Sequence, residues 1–201
     1  MEFATTEIAN PLDDSSRARG NIFLVGLMGS GKTSVGKVLA RMLDKTFVDS
    51  DHEIECATGV RIPVIFEIEG EPKFRERERK MIAELVVRDN VMLATGGGVI
   101  LAPENRENLK RNGTVIYLRV PVKSLLRRTQ RDRNRPLLQV ADPAVKLQEL
   151  YAARDPLYRE TADLIFDTNN QSVRALATRI AQKLQQLEPP VASANRLAPS
   201  S

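Results

Sequence analysis

Gly26-Leu27-Met28-Gly29-Ser30-Gly31-Lys32-Thr33 decides the fold. Its spacing, G-x-x-x-x-G-K-[ST], is that of a loop whose backbone curls around phosphate groups. The glycines let successive N–H groups face one anion, and the helix that follows adds the positive end of its dipole. Lys32 is placed to reach the β and γ phosphates of a nucleoside triphosphate, and the Thr33 hydroxyl to ligate Mg2+. Gly29, Ser30, Gly31, Lys32, Thr33 and Ser34 form the expected ATP-binding set. A glycine-rich turn ahead of a helix would look similar, but the context the motif demands is present. The apolar run Asn21–Val25 reads as a strand before it, and an amphipathic helix from Lys32 to Leu43 follows.

Outward from this loop, β-branched runs alternate with longer amphipathic segments. Further strands are expected at Lys45–Asp49, Val91–Ala94, Thr114–Arg119 and Leu164–Asp167. Helices are expected at His52–Thr58, Pro63–Glu69, Pro72–Arg88, Pro103–Arg111, Val122–Arg128, Pro143–Tyr158 and Ser172–Leu187, with Asn112-Gly113 as a C-cap signal. This alternation predicts an α/β, three-layer P-loop fold: a mainly five-stranded parallel sheet flanked by helices. Ligands of such sheets bind at the carboxyl ends of the strands. Gly26, Asp49, Asp51 and Gly96–Gly98 all fall just after predicted strands, on that one edge. The domain spans Asn21–Leu187, between a polar N-terminal tail, Met1–Gly20, and a proline-containing tail, Glu188–Ser201; both tails are expected to be mobile or disordered. Gln130–Asp142 is basic, contains proline and has weak periodicity.

The 201 residues carry 30 Lys and Arg against 26 Asp and Glu, a formal net charge of +4. That surplus raises nucleic acid as a partner. Aromatics are only 4% and Trp is absent, so the interleaved aromatic and basic pattern of single-strand binders is missing. A protein that binds ATP and a second anion needs the same surplus, and no nucleic-acid partner is expected. No apolar run approaches the roughly 18 residues that cross a bilayer. Met1–Gly20 carries Glu2, Glu7, Asp13 and Asp14 and has no apolar signal core. The single cysteine, Cys56, excludes an intrachain disulfide and a cysteine metal cluster. A cytoplasmic monomer without membrane contact is the expectation.

Phe47-Val48-Asp49-Ser50-Asp51 puts two carboxylates at the end of the second strand. Residues two apart in an extended segment share a face, so both are expected to look toward the phosphate edge. One could serve a metal's water shell while the other accepts a hydrogen bond from an acceptor hydroxyl. Asp51 also suits a helix N-cap ahead of His52–Thr58. Thr95-Gly96-Gly97-Gly98 follows the third strand, and three residues without Cβ atoms let backbone N–H groups approach a ligand. A merely flexible loop would read the same way. Glu76-Arg77-Glu78-Arg79-Lys80 by itself is a solvated helix face with Glu76–Lys80 pairing. Arg127, Arg128, Arg131, Arg133 and Arg135 by themselves are a basic surface. His52 is expected to be structural or exposed, and Cys56 to be a packed small side chain.

Together, Gly26–Thr33, Asp49-Ser50-Asp51, Glu71-Pro72-Lys73-Phe74-Arg75-Glu76-Arg77-Glu78, Ala94–Gly98, Arg135-Pro136-Leu137-Leu138 and Arg154-Asp155-Pro156-Leu157-Tyr158 resemble the motifs of the shikimate kinase family. They stand in that family's order, and the similarity covers about Ile22 to Ile180. The resemblance implies ATP-dependent phosphorylation of the 3-hydroxyl of shikimate, on the route to chorismate and aromatic amino acids. Mg2+ is the implied cofactor, and ATP and shikimate the implied small-molecule partners. Asp51 would hold ring hydroxyls and act as, or orient, the base. Arg75 and Arg154 would clamp the carboxylate, with Gly97 and Gly98 closing on the ring and Glu78 supporting from behind. Lys32, Asp51 and Arg135 would be the catalytic residues, Arg135 coming from a mobile lid at about 130–142 and also meeting ATP. Arg128 would cover the adenine, and the metal site would fall to Thr33 and, through water, Asp49. The loop Asp167–Ser172 should border the adenine but lacks the proline some members carry there, so none of its residues is assigned.

Elementary chemistry is consistent with these roles. A carboxylate in a dry pocket favours the planar, permanently charged fork of Arg over Lys. Phosphoryl transfer asks for charge neutralisation and in-line positioning, and a closing lid keeps water from the γ-phosphate. A gluconate or nucleoside monophosphate kinase would share the sheet, loop and lid but carry a different acceptor loop or a base pocket. A nucleotide-binding regulator without turnover would need a DNA-reading segment or the loss of Asp51 or Arg135, and both residues are present.

Overall fold

Strands that are apolar on both faces require a helix layer above and below them. The computed structural model describes residues 20–129, 140, 142–168 and 171–187. Strands β1 (Asn21–Val25), β2 (Thr46–Asp49), β3 (Val91–Ala94), β4 (Gly113–Arg119) and β5 (Leu164–Asp167) form one sheet in the order β2-β3-β1-β4-β5. Every pairing is parallel, with Phe23 beside Leu93 on one side and Val115 on the other. β1 is central and its two neighbours lie in opposite directions of the strand order, so a crevice opens outside its carboxyl end.

Alternate residues of β1 supply the two cores. Ile22 and Leu24 pack with Val35 and Leu39 of helix α1 (Lys32–Met42) and with Leu176 and Ile180 of helix α8 (Val173–Leu187). Phe23 and Val25 face Ile82 and Leu85 of α4 (Gly70–Leu85), Leu109 of α5 (Pro103–Asn112), and Leu147 and Tyr158 of α7 (Pro143–Thr161). Burying a Leu or Phe side chain contributes about 1.5–3 kcal/mol. Phe23→Ala, at a fully buried position, should cost about 3–5 kcal/mol. Beyond β2, α2 (Ser50–Thr58), α3 (Ile62–Ile68) and α4 meet in a smaller core of Ile54, Ile65 and Phe74, with the Phe66 and Phe74 rings 4.8 Å apart. This satellite core sets the walls of a cleft described below. Helix α6 (Val122–Thr129) follows β4.

The expected α/β architecture is the one found, with element ends shifted by a few residues. Two local features go beyond the expectations. Helix α5 stops at Asn112 with Gly113 as its C-cap, as expected; the φ of 173° and ψ of −175° at Gly113 are extended, and it also opens β4. A Cβ there would lie 2.4 Å from the Asn21 carbonyl oxygen and 2.8 Å from the Phe23 ring, so close strand packing requires the glycine. Val99–Leu101 forms a 3-10 turn that three residues are too few to signal by periodicity. The expected lid lies outside the described residues apart from Val140 and Asp142, as do both tails apart from Gly20. Among the described residues no helix is long and apolar enough to cross a membrane.

Candidate active site

The phosphate loop joins β1 to α1 through left-handed turns that suit glycine: φ is 76° at Gly29 and 94° at Gly31, the N-cap of α1. Lys32 is 8% exposed, and its Nζ donates to the carbonyls of Gly26 at 2.7 Å and Leu27 at 3.0 Å. A cleft of about 530 Å³ opens over the loop. All the expected loop residues from Gly29 to Ser34 line it, and so does Arg128, whose Nη1 donates to the Gly29 carbonyl at 3.2 Å. Arg135 lies outside the described residues.

At the end of β2 the two aspartates divide their work differently from the strand-face expectation. The strand ends at Asp49, which is the N-cap of α2: its Oδ1 accepts from the Asp51 N–H at 3.1 Å, and its Oδ2 accepts from the Thr33 hydroxyl at 2.8 Å. Asp51 is therefore not the cap. It stands in the first turn of α2, where the helix dipole favours a carboxylate. Both aspartates still reach the site, because a strand end and a helix start share the same edge. The Thr33 hydroxyl and Asp49 carboxylate together form a hard-oxygen pair beside the phosphate loop, a donor set suited to Mg2+.

A second cleft, of about 320 Å³, lies between α2, α4, α7 and the triple glycine. Asp51, Arg75, Glu78, Gly97, Gly98 and Arg154 all line it. Met28, Asp49, Asp51 and Gly97 line both clefts, so the two meet at these residues. Arg75 is gripped on its own helix: Nη1 donates to Glu78 Oε2 at 2.8 Å, and Nη2 to Glu71 Oε1 at 2.7 Å. Arg154 on α7 is 3% exposed and its Nη1 donates to the Gly97 carbonyl at 3.0 Å. Among the described residues no carboxylate is in ion-pair contact with Arg154. Burial pulls the Arg154 pKa below the usual arginine value, and the Arg75 cation adds to the effect. Burial also raises the Glu78 carboxyl above its ordinary value, against the opposing pull of Arg75.

The triple glycine is shaped by close approach. A Cβ on Gly98 would lie 2.1 Å from Arg75 Nη1, and one on Gly96 would lie 2.6 Å from Asp51 Oδ1 and 2.8 Å from Glu78 Oε1. The Gly96 N–H donates to the Ser50 hydroxyl at 3.0 Å, tying the loop to α2.

Several features escaped sequence reasoning. Glu71 is the second partner of Arg75, and its i,i+4 spacing was the available signal. The expected Glu76–Lys80 pairing is replaced by Lys73–Glu76 at 2.9 Å. Arg61 and Phe66 line the second cleft and Thr168 the first, with no motif to announce them. Cys56 is exposed rather than packed, 3.5 Å from His52 Nε2, and His52 is exposed at the rim of the second cleft.

A phosphate loop joined edge to edge with a small pocket lined by Arg61, Arg75 and Arg154 defines a P-loop kinase of small molecules. The family described as shikimate kinase matches residues 28–185. A shikimate kinase of Cupriavidus pinatubonensis is 59% identical over 167 residues, covering 83% of this chain and 87% of that one. One from Burkholderia lata is 56% identical over 165 residues, covering 82% and 90%. Among solved structures, the shikimate kinase of Acinetobacter baumannii in complex with shikimate superposes with a TM-score of 0.83 at 52% identity, covering 86% of this chain and 97% of that one. The chain belongs to the shikimate kinase family.

Proposed function

We propose that this chain transfers the γ-phosphoryl group of ATP to the 3-hydroxyl of shikimate, yielding shikimate 3-phosphate and ADP on the route to aromatic amino acids. The observation that carries the proposal is the meeting of the two clefts at Asp51 and Gly97. An acceptor in the second cleft therefore presents a hydroxyl directly to a phosphate on the loop. Arg154 and Arg75 hold the shikimate carboxylate, and the incoming anion compensates the buried Arg154 charge. Asp51 accepts or orients the proton of the attacking hydroxyl. The acceptor oxygen forms its bond to the γ-phosphorus as the bond to the β-phosphate oxygen breaks, and ADP leaves.

Lys32 stabilises charge on the transferring phosphoryl group, and Gly29, Ser30, Gly31, Thr33 and Ser34 hold the triphosphate. Arg128 covers the adenine. Gly97 and Gly98 close on the ring, and Glu78 holds Arg75 from behind. Thr33, and Asp49 through water, are the residues that would hold Mg2+; when bound, the ion neutralises phosphate charge. Arg135, within a lid at about 130–142, completes the catalytic set of Lys32, Asp51 and Arg135. Asn21–Leu187 is the catalytic domain, flanked by tails, and the protein works as a cytoplasmic monomer.

A coupled ADP-release assay with Mg-ATP tests the proposal, run with shikimate, gluconate and nucleoside monophosphates in turn. Saturable release with shikimate alone is expected. Release only with another acceptor would overturn the pocket assignment while keeping the phosphate loop. Silence with every acceptor would favour a nucleotide-binding regulator.

A further inference from the structure

We infer that Tyr158 is a positioning residue for the acceptor: its hydroxyl, together with Arg154, holds the Gly97 carbonyl so that the next peptide N–H stays turned toward the acceptor cleft. The inference rests on the acceptor assignment above. Tyr158 lies one helical turn beyond Arg154 on α7, so the two side chains leave the same helix face. Its ring is fully buried and stacked on Tyr117 of β4, with centroids 4.8 Å apart and planes inclined by 23°. Tyr117 is anchored in turn, donating to Asp155 Oδ1 at 2.8 Å. The Tyr158 ring cannot swing, and burial keeps its phenol protonated by pushing the pKa up. A phenol has one proton to donate, and this one goes to the Gly97 carbonyl at 2.5 Å. The same oxygen accepts from Arg154 Nη1 at 3.0 Å.

A carbonyl that accepts from two buried donors is fixed in direction. The Gly97–Gly98 peptide is trans, so the Gly98 N–H points opposite to the Gly97 carbonyl. With that carbonyl turned to α7, the N–H is turned away from α7. Gly98 lines the acceptor cleft, and no acceptor among the described residues meets its N–H. Three glycines in a row would otherwise let this peptide rotate. Arg154 alone is a poor restraint, because an acceptor carboxylate would compete for the same guanidinium. The Tyr158 hydroxyl has no such competing duty.

The test pairs Tyr158→Phe with a matched control, Tyr117→Phe. Each keeps its ring and the stack and removes one hydroxyl; only the first touches Gly97. Purified full-length variants are compared by thermal unfolding and by steady-state kinetics with ATP and shikimate varied separately. Tyr158→Phe is expected to raise the shikimate KM about five- to tenfold, the scale of one net hydrogen bond. The ATP KM should not move. Tyr117→Phe is expected to lower the Tm while leaving both KM values at wild type. An unchanged shikimate KM in Tyr158→Phe would overturn the inference. So would equal rises in both KM values, or the same rise in Tyr117→Phe, since either marks general loosening. A wild-type enzyme that ignores shikimate would overturn the acceptor assignment itself, and this inference with it.

Discussion

Gly98→Ala isolates one contact of the acceptor cleft. The backbone at Gly98, φ −100° and ψ −5°, suits any residue, so the methyl group introduces no torsional strain. Its cost is a collision with the Arg75 guanidinium: 2.1 Å to Nη1, 2.3 Å to Cζ and 2.3 Å to Nη2. Reaching the 3.4 Å of ordinary contact requires a displacement of about 1.3 Å. Arg75 makes bonds of 2.8 Å to Glu78 and 2.7 Å to Glu71, and a shift of that size stretches them out of hydrogen-bond range. The acceptor loses one charge-assisted partner, about 1.5–3 kcal/mol, which is a ten- to hundredfold rise in the shikimate KM. Coupled ADP release with shikimate varied at saturating ATP measures it, and the ATP KM should stay at wild type. A Gly98→Ala, Arg75→Ala cycle identifies the route: with Arg75 gone, the methyl group should cost little more. Additive losses, or an unchanged shikimate KM in a folded Gly98→Ala protein, would refute the placement of Arg75 over Gly98 as the carboxylate clamp.

Three other outcomes are expected. Asp51→Asn should lower kcat about a hundredfold or more, while ATP affinity measured by nucleotide titration is kept; an equal loss of ATP affinity would remove Asp51 from the acceptor side. Arg154→Lys should raise the shikimate KM roughly tenfold or more, because the planar fork is lost, and an unchanged KM would argue against the clamp. Glu78→Gln should change how stability depends on pH. Burial raises the Glu78 pKa above 4.5, so the folded state holds this proton more tightly than the unfolded chain. That contribution is complete below about 4.5 and is lost as pH rises through the higher folded value. The stability advantage of wild type over Glu78→Gln should therefore shrink from pH 4 toward neutrality, and parallel Tm curves would contradict it.

The phosphate loop and the succession of strands and helices along the chain were legible because they are local. Gly26–Thr33 is contiguous, and the apolar period of each strand is carried by neighbouring residues, so Asn21–Val25, Val91–Ala94 and Leu164–Asp167 were placed without a fold in view. The roles of Arg75, Glu78 and Arg154 were suggested only by the shikimate kinase resemblance. Arg75, inside a run of alternating charges, carries no local mark that separates it from Arg77 or Arg79.

What the sequence by itself determined is the chemistry available: a phosphate cradle, two aspartates after a strand, a triple glycine and a basic surplus. The tertiary structure decided which of these groups meet. It made Asp49 the cap and left Asp51 in the first turn of α2, because Ser50 and Asp51 are helical where two-residue alternation assumes an extended chain. It added to the helix stop at Gly113 a packing requirement against Asn21. It brought Arg154 and Tyr158 across 57 and 61 residues of chain to one carbonyl of Gly97. Such contacts depend on how α7 lies against the sheet, and that is set by side-chain packing between distant segments, which no local period records.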